Sequence, residues 1–172
     1  MRRIASLSRS PAMVALFMAL AVTGCASKKS ALPNTAGDLG LGANGANGGA
    51  PGSAQDFAVN VGDRIFFDTD SSVVRPDAQA TLSKQAVWLA QYPNYAITVE
   101  GHADERGTRE YNIALGARRA AATRDFLAAN GIAKGKMKTI SYGKERPVAV
   151  CDDISCWSQN RRAVTVLGGA GS

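Results

Sequence analysis

A polar loop and the helix predicted to follow it carry the residues with the clearest potential for binding chemistry. The loop holds Asp104. On the helix, Asn112, Gly116 and Arg119 share one face, with Gly116 leaving room between the amide and the guanidinium. An Arg guanidinium binds a carboxylate through two parallel hydrogen bonds, and an Asp carboxylate binds an ammonium group. Asp104 and Arg119 together would suit the zwitterionic end of an α-amino acid. The alternative is a structural ion pair between the two.

A second polar loop begins at Asp68, at the end of a predicted strand, where proteins built from sheets and helices commonly bind ligands. Asp68 and Asp70 could be considered with Asp104 and Glu105 as the acid pair of a hydrolase. We do not favour an enzyme, because no Ser/His/Asp or Cys/His arrangement is visible. No metal site is predicted either. His102 and its neighbouring carboxylates lack the usual zinc-ligand spacing, and His102 is expected to serve as a hydrogen-bonding residue.

Strands and helices alternate along the part of the chain that carries these loops. Runs of β-prone residues predict strands, and apolar residues at three- to four-residue spacing predict two helices, opened by Pro76 and Thr108. Leu115, Ala122 and Phe126 are expected to form the apolar stripe of the second helix. The order β-α-β-α-β-β predicts an α+β fold with a mixed sheet and helices packed on one face. The predicted strands are 64–67, 96–100, 138–142 and 163–167, and the predicted helices end at Pro93-Asn94 and at Asn130-Gly131.

Residues 1–24 have the composition of an export signal. A basic start is followed by an apolar run, residues 11–22, that is shorter than the roughly 20 residues of a membrane-spanning helix. The run leads into Val22-Thr23-Gly24-Cys25, which resembles the bacterial lipobox, whose Cys is acylated and becomes the mature N-terminus. An ordinary signal peptide with an incidental Cys25 is the alternative. Ala26 stands where an Asp often favours the inner membrane, so we expect a lipid anchor in the outer membrane and a domain facing the periplasm.

Residues 25–54 are expected to form a flexible tether between the lipid anchor and the folded domain, which we assign to residues 55–168. Gly accounts for 7 of the 16 residues from Gly37 to Gly52, and no apolar periodicity is sustained. Such a segment cannot bury enough apolar surface to offset the entropy lost on ordering. A flexible chain of about 30 residues has a root-mean-square span of about 30 Å.

The charge balance does not favour a nucleic-acid partner. The formal net charge is +6, yet residues 55–172 hold 15 Lys and Arg against 13 Asp and Glu, so the predicted domain is close to neutral. The basic excess lies mostly in the leader, and no aromatic stacking platform is evident. Arg118, Arg161 and Arg162 are expected to lie on a solvated or salt-bridged surface.

Cys151 and Cys156 remain once Cys25 is assigned to lipidation. In an exported protein they can form a disulfide that closes a small loop. Two free thiols are the alternative.

Five segments give the chain a resemblance to a known family. They are 99–108 (VEGHADERGT), 111–116 (YNIALG), 118–120 (RRA), 140–147 (ISYGKERP) and 159–164 (QNRRAV). In this order they resemble the OmpA-like peptidoglycan-binding domain family, and the similarity runs from about Val61 to Leu167. The chain departs from the family at residues 151–157, where a loop with two Cys replaces one that usually contains Gly and His.

The resemblance implies a binding protein that needs no cofactor. Asp104 and Arg119 would grip the free amino-acid end of meso-diaminopimelate in a peptidoglycan stem peptide. Asp104→Ala and Arg119→Ala are each expected to abolish retention on peptidoglycan and to leave the fold intact. Further contacts or support would come from the loop after the first strand and from the helix face, at Phe67, Asp68, Asp70, Asn112 and Leu115.

Lipoproteins of this family also bind TolB, a periplasmic β-propeller protein. The resemblance therefore implies TolB and other Tol-system proteins as partners, beside peptidoglycan and the outer membrane. It also implies that the protein links the outer membrane to the cell wall and supports envelope integrity and constriction at cell division.

Overall fold

The computed structural model describes residues 49–168. The predicted export signal, Cys25 and most of the predicted tether lie outside the described residues. Within residues 49–168, none of the helices is both long enough and apolar enough to cross a membrane. The strands are β1 (Arg64–Phe66), β2 (Ala96–His102), β3 (Met137–Gly143) and β4 (Arg162–Gly168), and the α-helices are α1 (Ala54–Asp56), α2 (Pro76–Gln91), α3 (Arg109–Ala129) and α4 (Ile154–Asn160).

The strands form one mixed sheet in the order β1-β4-β2-β3. Strands β2 and β3 are parallel and α3 connects them, whereas β4 runs antiparallel to both β2 and β1. Helices α2 and α3 contact each other and the sheet. The predicted α+β class is confirmed, and the four strands and two long helices follow one another in the predicted order. Helix α4, between β3 and β4, is an addition that the sequence patterns did not indicate.

The two long helices begin and end close to the predicted positions. Pro76 occupies the first turn of α2, where its missing N–H removes no helical hydrogen bond. The Thr108 side chain caps α3 by accepting a hydrogen bond from the Tyr111 N–H at 3.2 Å. Gly131, just beyond the C-cap Asn130, has φ +97°, a left-handed conformation that Gly adopts without a steric penalty. These local signals position the site, because α3 starts directly after the polar loop that follows β2.

The apolar core lies between α2, α3 and the sheet. The predicted apolar face of α2 is buried along its length, from Ala78 to Leu89. Trp88 completes this face and packs against Phe57 with tilted rings, whose centroids are 4.9 Å apart. Other core residues come from the strands and from α3, including Ile65, Ile97, Val99, Ala120, Leu127 and Ala163.

The buried face of α3 differs from the predicted stripe. Leu115 is buried, but Ala122 and Phe126 are only partly buried. The buried face includes three polar side chains, those of Asn112, Arg119 and Thr123, and each donates a hydrogen bond to a main-chain oxygen, so burial costs them little. The predicted stripe is therefore incomplete: Leu115 is buried and Phe126 packs against the core, but the polar members of the face do not follow from apolar spacing. The buried face consists of Asn112, Leu115, Gly116, Arg119, Ala120, Thr123 and Leu127.

Gly116 has a packing role in addition to lying on the site face. A Cβ atom at Gly101 of β2 would overlap the Gly116 main-chain oxygen, and a Cβ at Gly116 would overlap the Ser141 hydroxyl. The two glycines therefore let α3 approach β2 and β3 closely. The sequence alone indicates only the room that Gly116 leaves between Asn112 and Arg119.

The last residues of the predicted tether contact the domain. Helix α1 continues as a π-helix, Phe57–Gly62, and the Asp56 carboxylate accepts hydrogen bonds from the Gly52 N–H at 3.0 Å and from the Trp88 indole at 2.9 Å. The Tyr95 hydroxyl donates to the Gly52 main-chain oxygen at 2.8 Å. Contacts with the folded domain therefore begin before Gln55.

Candidate functional site

A pocket of about 300 Å³ opens beside the first turns of α3, where the loop after β2 meets the loop after β1. Five of the seven ligand-binding residues predicted from the sequence lie in its wall. The pocket is lined by Thr69, Asp70, Asp104, Arg106, Gly107, Tyr111, Asn112, Leu115 and Arg119.

Arg119 is fully buried at the base of the pocket, and main-chain oxygens hold it. Its Nη1 donates to the His102 oxygen at 2.8 Å, its Nε to the Ser71 oxygen at 2.8 Å, and its Nη2 to the Asp68 oxygen at 3.0 Å. Burial lowers the pKa of Arg119 to about 10. The positive charge of Arg161 also lowers this pKa, whereas the carboxylate of Asp104 raises it. The guanidinium nevertheless stays charged at neutral pH.

Asp104 is buried in the wall beside Arg119 but is paired with two other arginines. Its Oδ2 lies 2.7 Å from Arg106 Nη2 and 3.3 Å from Arg161 Nη1. Burial alone would raise the pKa of Asp104, yet the hydrogen bond and charge of Arg106, together with Arg161, outweigh it and hold the pKa below the ordinary value of 3.8. Asp104 is therefore a fixed negative charge at neutral pH.

The structural ion pair between Asp104 and Arg119, left open by the sequence, is not present among the described residues. The ion pairs of Asp104 are with Arg106 and Arg161, and the hydrogen bonds of Arg119 go to carbonyl groups. Both side chains face the same pocket, and they do not form an ion pair with each other. This arrangement presents one anion and one cation to a ligand.

The loop after β1 contributes in three different ways. Asp70 lines the pocket, adopts a left-handed backbone conformation with φ +53°, and accepts a hydrogen bond from the Tyr111 hydroxyl. Phe67 is buried beneath the pocket, with its ring centroid 5.2 Å from Arg119 Cζ. Asp68 binds Arg119 through its main-chain oxygen only, because its carboxylate is exposed and pairs with Arg75 at 3.2 Å.

Asn112 and Leu115 form part of the pocket wall, as predicted from the resemblance. Both are buried, and the Asn112 amide donates to the Arg106 main-chain oxygen at 2.8 Å. This bond ties the first turn of α3 to the loop after β2. The wall is therefore shaped by contacts between neighbouring elements.

Sequence reasoning missed several residues of the site. Arg106 and Tyr111 lie in the same motif as Asp104, so a search for charged and hydroxyl groups near that loop could have found them. Arg161 was expected on a solvated or salt-bridged surface, as was Arg162, but both are buried. No sequence signal connects Arg161 to Asp104, because the two are 57 residues apart and meet only through the pairing of β2 with β4.

His102 is buried on β2, with neither ring nitrogen hydrogen-bonded. The hydrogen-bonding role predicted for this side chain is therefore wrong. Only its main-chain oxygen takes part, by holding Arg119. The ring stacks on Tyr142 at 5.5 Å between centroids, and burial, with the positive charges of Arg162 and Arg146, lowers the pKa of His102 to about 4.

The predicted disulfide between Cys151 and Cys156 is present. Among the described residues, these two sulfurs and an oxygen of Asp153 form a group of potential metal-ligand atoms lying within 4.8 Å of one another. Because the sulfurs are joined to each other, they are not available as thiolate ligands.

Comparison with known proteins agrees with this fold. The model of the OmpA family matches residues 66–161. The peptidoglycan-associated lipoprotein of Agrobacterium fabrum is 74% identical over 165 residues, covering 96% of this chain and 92% of that protein. The peptidoglycan-associated lipoprotein of Brucella melitensis is 74% identical over 171 residues, covering 99% of both chains.

Solved structures show the same architecture. The crystal structure of the peptidoglycan-associated lipoprotein from Burkholderia pseudomallei superimposes with a TM-score of 0.63 at 39% identity, covering 67% of this chain and all of that one. The C-terminal domain of MotB from Helicobacter pylori, at 22% identity and a TM-score of 0.58, covers 62% of this chain and 84% of its own length and shares the fold alone. The chain belongs to the OmpA family and, within it, to the peptidoglycan-associated lipoproteins.

Proposed function

We propose that this protein binds peptidoglycan non-covalently by gripping the free amino-acid end of a diaminopimelate residue in the pocket described above. The observation that carries the proposal is that a fixed anion, Asp104, and a buried cation, Arg119, line the same pocket wall. Neither residue is bonded to the other. The names of the relatives support peptidoglycan as the source of that group.

The donors of Arg119 match a carboxylate. A guanidinium has five N–H groups, and Arg119 uses one on each of its three nitrogens to bind main-chain oxygens. One N–H is left on each terminal nitrogen, which suits a carboxylate bound through both oxygens. The three carbonyl bonds fix the guanidinium before the ligand arrives, so little side-chain entropy is lost on binding.

The ammonium group of the ligand would be bound by Asp104, with Asp70 as a second carboxylate at the rim. Tyr111 holds the Asp70 side chain, and Leu115 supplies apolar wall for the methylene chain of the ligand. The pocket therefore offers complementary groups to each part of a diaminopimelate end.

Retention on purified diaminopimelate-type peptidoglycan tests this proposal. We expect the wild-type chain to sediment with sacculi and Asp104→Asn to remain in solution. Asp68→Asn is the matched control, because its carboxylate is exposed and pairs with Arg75 outside the pocket. Equal retention of wild type and Asp104→Asn, with both chains folded, would refute the site. Release of soluble muropeptides by the wild type would instead indicate an enzyme.

The anchoring of the domain completes the proposed function. Acylated Cys25 would hold the chain in the outer membrane, and residues 25–54 would tether the domain facing the periplasm. Weak contacts by many such molecules would add up through effective concentration and link the membrane to the cell wall. Cys25→Ser should move the protein from the membrane fraction to the soluble periplasmic fraction. Persistence in the membrane fraction would argue against the anchor.

We further propose that the protein acts within the Tol system through TolB and contributes to envelope integrity and constriction at division. Membership of the peptidoglycan-associated lipoproteins supports this proposal. Co-purification of TolB with the wild-type chain from the periplasm tests it, and failure of purified TolB to bind the purified chain would contradict it.

A further inference from the structure

The segment between β3 and β4 holds features that the proposed function does not use. A disulfide joins Cys151, which precedes α4, to Cys156 within α4. The Asp153 side chain caps the same helix by accepting a hydrogen bond from the Ser155 N–H at 2.7 Å. The first turn of α4 is thus held both by its cap and by a covalent bond to the chain before it.

Trp157, the residue after Cys156, connects this helix to the pocket. Its indole N–H donates to the carboxylate of Glu105, and its ring lies under the guanidinium of Arg106 at 4.2 Å from centroid to Cζ. Arg106 in turn binds Asp104 with Nη2 2.7 Å from Oδ2 and Nε 3.2 Å from Oδ1. The Arg106 side chain is 40% exposed, and the Trp157 ring lies against one face of its guanidinium.

The other end of α4 reaches the same carboxylate. Arg161 is the C-cap residue of α4, and its Nη1 lies 3.3 Å from Asp104 Oδ2 while its Nε donates to the Phe67 main-chain oxygen at 3.1 Å. Helix α4 therefore positions both guanidinium partners of Asp104. Arg106 stacks on Trp157 of this helix, and Arg161 is its C-cap residue.

We infer that Trp157 is a positioning residue for the pocket, and that the Cys151–Cys156 disulfide, by fixing α4, sets the orientation of Asp104 and the affinity of the site for a diaminopimelate end. This inference rests on the proposed function. A carboxylate held in one orientation before binding loses less freedom when the ligand arrives, so the pinned helix favours tighter binding.

Reduction of the disulfide should loosen this arrangement. Two electrons and two protons from a dithiol reductant convert the disulfide into two thiols, and the reductant becomes a cyclic disulfide. The Cys156 side is then free to move with Trp157, and Arg106 loses the surface on which it rests. The affinity of the pocket for its ligand should fall while the fold remains.

The test measures binding of the tripeptide L-Ala-γ-D-Glu-meso-diaminopimelate by calorimetry. The protein is the full chain with Cys25→Ser, so that only Cys151 and Cys156 form thiols on reduction. We expect the reduced protein to bind about tenfold more weakly than the oxidised protein, and Trp157→Ala about fivefold more weakly, a loss of the size expected for a cation–π contact and the preorganisation it gives. Ile154→Ala, exposed on the same helix, is the matched control and should bind like wild type.

Two further measurements separate positioning from a general loss of structure. Trp157→Phe keeps a ring under Arg106 and should recover most of the affinity lost in Trp157→Ala. An NMR titration should show a higher pKa for Asp104 in Trp157→Ala, because Arg106 would be held less firmly against the carboxylate. The variant Cys151→Ser/Cys156→Ser should bind weakly with or without dithiol.

Failure of this inference and failure of the proposed function would give different results in these experiments. If the oxidised wild type does not bind the tripeptide, the proposed function fails. If it binds and reduction leaves the affinity unchanged or raises it, the role of the disulfide is overturned. If Trp157→Ala binds like wild type, or Trp157→Phe is no better than Trp157→Ala, the positioning role of Trp157 is overturned.

Discussion

Arg119 Nη1 lies 2.8 Å from the main-chain oxygen of His102, two residues before Asp104 in the chain. Arg119, which is proposed to bind the carboxylate of the ligand, therefore also holds the loop that carries Asp104, the proposed partner of the ammonium group. Its other hydrogen bonds go to the Ser71 and Asp68 oxygens in the loop after β1. Arg119 thus joins α3 to both loops of the pocket, and stability and binding depend on the same side chain.

The first prediction concerns the stability of Arg119→Met. Three main-chain oxygens would lose their donor in a buried site, and each unsatisfied group costs about 1–3 kcal/mol, so we expect a loss of at least roughly 3 kcal/mol. This differs from the expectation, drawn from the sequence, that Arg119→Ala leaves the fold intact. Urea unfolding measures the loss. Arg118→Met, on the exposed side of α3, is the control and should unfold like wild type. An equal midpoint for both variants would contradict the structural role.

The second prediction concerns the pH dependence of binding through Asp104. Because the pKa of this carboxyl lies below 3.8 in the folded protein, the charged form persists as the pH falls to about 4. Retention on sacculi should therefore stay constant from neutral pH to about pH 4 and decline only below it. The stability contributed by the charged form follows the same direction and is lost as the pH falls through the lowered pKa. A midpoint for binding near pH 6 would show that another group controls it.

The sequence predicted much of the fold because its signals are local. Thr108 and Pro76 mark helix starts, Gly131 marks a helix end, and alternating residues mark β2, and the structure has all four features. Helix α4 escaped prediction because it has seven residues, and the Asp153 cap and the disulfide that hold its first turn give no apolar periodicity. Neither contribution appears as a hydrophobic period.

The site was predicted less completely, for a physical reason. Asp104 and Arg119 belong to a recognisable motif, but Arg161 reaches Asp104 only because β4 pairs with β2. The separate roles of Asp68 are also invisible in the sequence, since its carbonyl and its carboxylate point to different partners. Long-range pairing and side-chain direction decide such details, and residue type does not encode them.

The third prediction concerns the pH dependence of stability through His102. Its pKa is about 4 in the folded protein and 6.5 ordinarily, because of burial first and then of Arg162 and Arg146, which outweigh the Glu100 carboxylate 3.6 Å away. The unfolded chain therefore binds a proton more readily between these values. Stability should be full above pH 6.5 and fall as the pH drops towards 4, by up to about 3 kcal/mol at about 1.4 kcal/mol per pH unit.

Urea unfolding at a series of pH values measures this effect, and His102→Phe provides the control. The chain has a single His, so His102 is the side chain that dominates the upper part of this range, whereas carboxyl groups titrate near its lower end. Phe can stack on Tyr142, and the substitution breaks no side-chain hydrogen bond, because neither ring nitrogen of His102 has a partner. The variant should fold at neutral pH and lose most of the pH dependence between pH 6.5 and about pH 5. An unchanged slope in His102→Phe would rule out the assignment.

The fourth prediction concerns the close approach of α3 to the sheet at Gly116. Within an exposed helix, Gly→Ala stabilises by about 1 kcal/mol, because Ala restricts the unfolded chain. At Gly116 the added methyl would overlap the Ser141 hydroxyl and lie 2.8 Å from the Gly101 main-chain oxygen, so the helix would have to move outward. Overpacking of this kind costs about 1–3 kcal/mol. We therefore expect Gly116→Ala to be destabilised and to bind sacculi less well, since Asn112 and Arg119 lie on the displaced face.

Gly135→Ala, where the methyl would meet no atom within 4 Å, is the control, and its free energy of unfolding should lie within about 0.5 kcal/mol of wild type. Stabilisation by Gly116→Ala in urea unfolding would contradict the packing argument, because the intrinsic preference of the helix would then outweigh the overlap.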